Sequence, residues 1–290
     1  MNTPSRPRAT KIICTIGPAT DTSDMLGQLI EAGANVFRLN MSHSKHDWVR
    51  EVVFRIRRKA AELEANLAIL FDLQGPSIRT GDLAEPYHLK KGDTVEIRLG
   101  TAKPELPFST TVNYDGLLQD VQAGHTMVVD NGGILMRIAE VRPDRLICDV
   151  LTEGGFGSRH ISLPGVALRL PALTEKDLAD LAVAVECETD HVAMSFVRDA
   201  AHIAQLREHI DNLGGKAQIV AKIEDQQAVR HIDDIILAAD VIMVARGDLG
   251  IEVSIEELPI IQRRIVRHCH RLGRRCIVAT HMLESMITQP

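Results

Sequence analysis

Short apolar runs alternate with longer amphipathic segments along most of this chain, and that alternation constrains the fold more than any other feature. Seven runs rich in β-branched residues predict strands, at 12–16, 35–39, 68–73, 191–196, 218–223, 241–245 and 276–279. Strands that are apolar throughout and separated by helices are typical of a parallel sheet covered on its faces. The pattern therefore predicts an α/β fold.

The segments between these runs carry apolar residues at helical spacing, which predicts helices at 23–32, 48–64, 175–185, 200–213, 225–238 and 255–272. The candidate N-terminal caps of the first helix are Asp21, Thr22 and Ser23. Glycines follow three of the predicted helices at the position where a left-handed C-terminal residue is common, namely Gly33, Gly214 and Gly273.

One stretch, from Asp82 to Gly165, lacks this alternation of strands and helices. It contains alternating runs at 94–99, 126–129, 135–141 and 145–151, separated by turn-forming sequences. The stretch predicts a small all-β barrel, inserted after the third α/β unit, so the predicted domains are 1–81, 82–165 and 166–290. A (β/α)8 TIM barrel typically has about 250 residues. Because only seven strands are predicted, we expect a TIM barrel that is truncated after strand 7.

Composition limits the class of partner. The 290 residues include 33 Lys+Arg and 39 Asp+Glu, for a net charge of −6, which disfavours a dedicated nucleic-acid binder. No apolar run approaches the roughly 18–20 residues that cross a bilayer, and no apolar signal-peptide segment follows the basic residues 1–11. The five cysteines are scattered and do not suggest a disulfide framework. We expect a cytoplasmic protein that binds neither nucleic acid nor a membrane.

Polar residues follow five of the predicted strands at their carboxyl ends. In a barrel these ends meet at one mouth, where such folds carry their chemistry. The residues are Arg38, Asn40, Ser42 and His43 after the second strand, Asp72 and Arg79 after the third, Lys222 and Glu224 at the fifth, Gly247 and Asp248 after the sixth, and Thr280 and His281 after the seventh.

Their chemical types form a coherent set. Glu224 and Asp248 offer hard oxygen ligands that suit Mg²⁺, and Gly247 allows close approach of backbone N–H groups to a carboxylate. Positive charge for a phosphorylated substrate comes from Arg38, Arg79 and Lys222. A second oxygen cluster, suited to another cation, consists of Asn40, Ser42 and Asp72. Cations together with an anionic substrate predict phosphoryl transfer or enolate chemistry.

Six motifs, in this order along the chain, resemble those of pyruvate kinases. They are KIICTIGPA at 11–19, ANVFRLNMSH at 34–43, DLQGPSIRTG at 72–81, AKIE at 221–224, MVARGDLGIE at 243–252 and ATHMLESM at 279–286. The likeness runs from about residue 11 to residue 290, and the DLQ form is more similar to bacterial members. The resemblance implies that the all-β insert is the mobile lid domain of the family.

The resemblance also implies roles for single residues. Lys222 is expected to stabilise the transferring phosphoryl group, Arg38 to contact phosphate, and Glu224 and Asp248 to bind Mg²⁺ or Mn²⁺. The backbone at Gly247 and Asp248, together with Thr280, is expected to bind the substrate carboxylate, with Thr280 near the path that protonates the enolate.

The expected potassium ligands are Asn40, Ser42, Asp72 and the carbonyl of Leu73. His43 and Arg79 are expected to face the phosphates of the nucleotide. The implied reaction transfers phosphate from phosphoenolpyruvate to ADP and gives pyruvate and ATP, the last step of glycolysis. A homo-oligomer is expected for a full-length chain.

Several positions depart from the family pattern. Ser77 stands where potassium-dependent members commonly have Glu and potassium-independent members have Lys, His281 replaces Gln, and Asn131 replaces the second Asp of a lid pair. The eighth strand and the C-terminal regulatory domain of the family are missing, so we expect a fragment, a barrel closed by another chain, or a chain that is inactive alone.

Two other functions fit the same residues. The first is a Mg²⁺-dependent aldolase or lyase of enolpyruvate chemistry, against which the lid-like insert and Lys222 argue. The second is a truncated, non-catalytic partner or regulatory relative, against which the retained Lys222, Glu224, Asp248 and Thr280 argue.

Overall fold

A computed structural model describes residues 9–130, 132–157, 159–254 and 256–280. Asn131 and His281, which depart from the family pattern, lie outside the described residues. The chain divides into two compact units, here called the first and second unit. The first contains Met1–Gly75, Leu173–Ser195 and Ile203–Ala221, and the second contains Pro76–Ala172, Phe196–His202 and Lys222–Pro290. The domain limits read from the sequence stay a prediction.

The described N-terminal residues form alternating strands and helices, namely β1 (Ile13–Ile16), α1 (Ser23–Glu31), β2 (Val36–Asn40), α2 (His46–Glu62) and β3 (Ala68–Asp72). The cap of α1 is Thr22, whose side chain accepts a hydrogen bond from the Met25 amide at 3.3 Å. Gly33 follows the helix at φ 98°, a left-handed conformation that glycine adopts without strain.

The next residues are dominated by short strands. They are β4 (Ile78–Arg79), β5 (Tyr87–Leu89), β6 (Thr94–Arg98), β7 (Phe108–Thr111), β8 (Thr126–Val129), β9 (Ile134–Val141), β10 (Arg145–Val150), β11 (Gly154–Phe156) and β12 (His160–Ser162), with one helical turn, α3 (Leu117–Asp120). Seven of them form a sheet in the order β4-β12-β8-β9-β10-β6-β7, while β5 pairs with β11. Along the chain, the first and last strands of this segment are β4 and β12, and these two pair with each other, with Ile78 opposite Ile161 and Arg79 opposite His160.

This all-β segment has its own apolar core. Alternate residues of its strands point inward, as the period of two along a strand requires. The most central of them, all completely buried, include Leu89, Ile97, Met136, Cys148 and Phe156. The alternation read from the sequence at 94–99, 126–129, 135–141 and 145–151 is therefore confirmed as strand structure.

The described C-terminal residues return to alternating helices and strands. They are α4 (Glu175–Glu186), β13 (His191–Met194), α5 (Ala200–Asn212), β14 (Gln218–Ile223), α6 (Gln226–Arg230), α7 (Ile232–Ala238), β15 (Val241–Ala245), α8 (Arg246–Glu252), α9 (Leu258–Arg271) and β16 (Arg275–Ala279). None of the described helices is long and apolar enough to cross a membrane.

Parallel pairing dominates the α/β part of both units. In the first unit β1, β2, β3, β13 and β14 pair in that order, each parallel to the next. In the second unit β15 pairs in parallel with β16. Every residue of β15 is buried, as expected for a strand that helices cover on both faces. The predicted α/β class is confirmed.

Two expectations about helices are wrong, and several elements were not predicted. The helix predicted at 225–238 is two helices, α6 and α7, because the backbone at His231 leaves the helical conformation. The helix predicted at 255–272 begins only at Leu258, with Pro259 in its first turn. The separate helix α8, which starts directly after β15, was not predicted. The strands β4, β5, β7, β11 and β12 were also missed, since each has only two to four residues.

Candidate active site

In the first unit, Arg38 is fixed by two polar contacts. It lies on β2, where its Nε donates a hydrogen bond to Asp72 Oδ2 at 2.6 Å and its Nη1 donates to Thr15 Oγ1 at 2.9 Å. Asp72 is only 1% exposed, at the end of the neighbouring strand β3. A charge-assisted hydrogen bond to a buried carboxylate holds the guanidinium strongly, so Arg38 is positioned before any ligand arrives.

The oxygen atoms expected to bind potassium also lie in this unit. Asn40 and Asp72 are directly opposite each other on β2 and β3. The amide of Met41 donates to the carbonyl of Asp72 at 3.0 Å, which holds the two strand ends together. Asn40 Oδ1 accepts a hydrogen bond from the Ser42 amide at 3.2 Å. The Leu73 carbonyl accepts one from Ser195 Oγ at 2.8 Å. Amide, hydroxyl, carboxylate and carbonyl oxygens suit a hard cation, so the residues fit the expected ion.

In the second unit, Lys222 and Glu224 form a buried ion pair. The distance between Lys222 Nζ and Glu224 Oε1 is 2.8 Å, and the two side chains are 12% and 1% exposed. The amide of Phe196 donates to the other oxygen of Glu224 at 2.6 Å. Lys222 lies one residue before the end of β14 and Glu224 directly follows the strand, and the i, i+2 spacing brings the two side chains together.

The protonation of Glu224 depends on its surroundings. The pKa of Glu224 is raised to about 7, mainly because the carboxyl group is buried; the positive charge of Lys222 opposes the shift, and the negative charge of Asp248 adds to it. Two neighbouring carboxylates in a buried site are unfavourable until a cation neutralises them. This pair therefore fits a divalent metal ion.

Asp248, Gly247 and Thr280 meet where two neighbouring strands end. Helix α8 begins at Arg246, immediately after β15, and places Asp248 in its first turn. The amide of Gly247 donates to Thr280 Oγ1 at 3.0 Å. Thr280 has φ 57°, an uncommon conformation for a β-branched residue. The structure thus joins the backbone after β15 to the hydroxyl after β16.

A cavity of about 320 Å³ lies beside Glu224 and Asp248, within the second unit. Glu224, Asp248 and Glu252 line one part of it, and β12 lines another part with His160 and Ile161. The ring of His160 stacks on Phe196 with centroids 6.0 Å apart. Burial lowers the pKa of His160, while the negative charge of Asp248 partly opposes that shift. A neutral imidazole is therefore expected at this wall of the cavity.

The two residues expected at the nucleotide, His43 and Arg79, lie in different units and are both exposed. The backbone of Arg79 is held on β4 by hydrogen bonds to Asn113, at 2.8 Å to its Oδ1 and 3.2 Å to its amide. Their role at a nucleotide stays a prediction.

Sequence reasoning missed four residues that contact an expected ligand, hold the backbone beside one or line the cavity: Lys176, Asp177, Ser195 and His160. Ser195 had a usable signal, because it is a polar residue near the end of a predicted apolar strand, just as Asp72 is. Lys176 and Asp177 had none, since the sequence around them reads only as the start of a helix. His160 lies in a strand of three residues that has no recognisable period.

Comparison with known proteins gives a consistent result. The profile of the family "Pyruvate kinase, barrel domain" matches residues 7–290. "Plastidial pyruvate kinase 2" of Arabidopsis thaliana is 40% identical over 99% of this chain and 50% of its own length. "Pyruvate kinase" of Clostridium perfringens is 40% identical over 97% of this chain and 60% of its own, and "Pyruvate kinase" of Mycobacterium tuberculosis is 39% identical with the same coverage. The chain thus spans half to three fifths of these relatives.

Proposed function

The chain belongs to the pyruvate kinase barrel-domain family, and from this premise we propose that it provides the phosphoryl-transfer site of a pyruvate kinase. The proposed reaction transfers phosphate from phosphoenolpyruvate to ADP and yields ATP and pyruvate. We further propose that the α/β part belongs to a TIM barrel and that the all-β segment is its lid. A cytoplasmic location and a homo-oligomeric full-length form belong to the same proposal.

The observation that carries this proposal is the buried pair of Lys222 and Glu224 next to Asp248. The transfer of a phosphoryl group spreads negative charge over its oxygens, and catalysis consists mainly of placing positive charge there. Lys222 offers an ammonium group at 12% exposure, where water screens it little. Mg²⁺ or Mn²⁺, held by Glu224 and Asp248, would supply further positive charge to the phosphate oxygens.

The other roles follow from family membership, residue by residue. Arg38 would contact the transferred phosphate, and the backbone at Gly247 and Asp248 with Thr280 would hold the carboxylate of the substrate. His43 and Arg79 would contact the nucleotide. A potassium ion would be held by Asn40, Ser42, Asp72 and the Leu73 carbonyl, and comparing the reaction with and without K⁺ tests this role.

The test is pyruvate formation by the purified 290-residue chain from phosphoenolpyruvate and ADP with Mg²⁺, with and without K⁺. Replacing Lys222 by Met removes the ammonium while keeping most of the side-chain length. We expect Lys222→Met to lower turnover at least about 100-fold, because a positively charged group at the developing charge is lost. Binding of phosphoenolpyruvate, measured by calorimetry, should remain detectable.

Lys91→Met is the matched control, since it removes an exposed lysine of the all-β segment. Its turnover should equal that of the unmodified chain. Equal turnover of Lys222→Met and the unmodified chain would refute the role of Lys222. No turnover from a folded chain would instead favour a fragment or a non-catalytic partner.

A further inference from the structure

The first turn of α4 contacts both loops that carry the proposed potassium ligands. Asn40 and Ser42 flank Met41 after β2, and Leu73 precedes Gly75 by two residues after β3. These loops are distant from α4 along the chain, by 135 and 102 residues at the two contacts. The contacts are made by consecutive residues, Lys176 and Asp177.

Lys176 holds the first loop. Its Nζ donates to the carbonyl of Met41 at 2.7 Å and to Asp180 Oδ2 at 2.6 Å. Asp180 is completely buried and contacts His46 Nε2 through its other oxygen at 2.7 Å. The ammonium of Lys176 is therefore directed at Met41 by a buried carboxylate, and the peptide between Asn40 and Ser42 is fixed by a charged donor.

Asp177 holds the second loop. Its Oδ1 accepts a hydrogen bond from the amide of Gly75 at 2.9 Å. Its Oδ2 accepts from the Thr174 amide at 2.8 Å and from Thr174 Oγ1 at 2.6 Å. Asp177 is completely buried, and Gly75 is at φ 71°, so the turn after Leu73 is both tightly bent and anchored.

This pattern goes beyond what a helix cap needs. Capping of α4 uses Thr174 and one oxygen of Asp177. The second oxygen of Asp177 and the ammonium group of Lys176 instead form hydrogen bonds with the backbone of the two loops. A cation bound by several oxygens from different loops depends on groups behind those oxygens to keep their spacing.

We propose that Lys176 and Asp177 are positioning residues that set the affinity of the monovalent-cation site formed by Asn40, Ser42, Asp72 and Leu73. Because these four are cation ligands only under the proposed function, this role rests on that function. Neither residue touches the ion; each holds the backbone beside a ligand.

The test uses Lys176→Met, since the Lys176 side chain is 41% exposed and its loss is easier to tolerate than a change at Asp177. The midpoint of thermal unfolding is measured while KCl replaces tetramethylammonium chloride at constant ionic strength, without substrates. We expect the potassium concentration for half-maximal stabilisation to rise about 10-fold to 100-fold in Lys176→Met. Lys176→Arg should restore much of the affinity, because Arg also donates to a carbonyl.

Lys91→Met again controls for the loss of one positive charge and should leave the potassium response unchanged. An unchanged half-saturating concentration in Lys176→Met would overturn the positioning role alone. A chain in which potassium gives no stabilisation at all would overturn both the potassium site of the proposed function and the role of Lys176 and Asp177. Asp177→Asn should shift the response in the same direction as Lys176→Met, and a normal response there would overturn the role of Asp177.

Discussion

Glu252 shows how burial couples the protonation of one residue to folding. It lines the cavity, accepts a hydrogen bond from the Gly165 amide, and has its pKa raised to about 7, first by burial and then by the negative charge of Asp225. The folded chain therefore keeps a proton on Glu252 at pH values where the unfolded chain has lost it. Stability from this group is present below the ordinary carboxyl pKa of 4.5 and is lost as the pH rises to about 7.

We therefore predict that Glu252→Gln stabilises the chain at pH 8 but not at pH 5, on the order of 1 kcal/mol. The neutral amide avoids the burial of a charge at high pH and resembles the protonated acid at low pH. Urea unfolding at both pH values measures the difference. The exposed Glu153→Gln should show none, and a stability gain that is equal at both pH values would contradict the expected linkage.

At the same scale, some site residues were predictable and others were not. Lys222 and Glu224 were found because polar residues at i and i+2 interrupt an apolar strand, and the structure places them 2.8 Å apart. Lys176 and Asp177 were not found, because their contacts with Met41 and Gly75 are created only by folding.

At the scale of strands and helices, two strands of the all-β segment are joined by a buried ion pair that the alternating sequence pattern does not reveal. Arg145 on β10 contacts Glu96 on β6, with 2.8 Å between Nη1 and Oε2, and the side chains are 5% and 0% exposed. Glu96 also accepts hydrogen bonds from the amides of Glu105 and Leu106, so it stays fixed in the core. The strands β6, β8, β9 and β10 were predicted from their alternation, whereas β4, β5, β11 and β12, with two or three residues each, have too few alternations to be recognised.

Arg145→Met should lower the free energy of unfolding by about 1.5–3 kcal/mol, because the buried carboxylate of Glu96 loses one of its charge-assisted hydrogen bonds. Arg137→Met is the comparison on the adjacent strand, where the pair with Asp149 is 3.4 Å long and about half exposed. That change should cost less than about 1 kcal/mol. Chemical denaturation followed by circular dichroism distinguishes the two, and similar losses would show that burial does not control the effect.

At the scale of the whole molecule, a bound cation should be visible in thermal stability. A ligand that binds only the folded state stabilises it by about 2.7 kcal/mol at 100 times its Kd. We expect Mg²⁺ to raise the Tm by several degrees and a chelator to reverse the rise. Asp248→Asn, which removes one of the two carboxylates, should respond much less. An equal rise in both proteins would place the stabilising ion elsewhere.

The whole-molecule features that the sequence predicts are the alternation of strands and helices and the all-β interruption. The order β1-β2-β3-β13-β14 continues across that interruption, since β3 pairs with β13 although the all-β residues separate them along the chain. Continuously apolar strands made a parallel sheet predictable. The start of α8 at Arg246 was not, because the sequence after β15 has glycines and no strong apolar period.

The pairing of β4 with β12 affects how much conformational entropy is lost when loops of the all-β segment are lengthened, and so how freely their lengths can change during evolution. Ile78 and Ile161 are opposite each other, so the ends of the all-β segment are joined inside the segment itself. The all-β segment therefore begins and ends at the same place, as a short turn does, whatever its length in residues. Doubling the length of a flexible loop within it would add only about 0.6 kcal/mol of closure entropy. The tips of this segment are thus free to lengthen or shorten over evolution with little penalty to the ladder that closes its base.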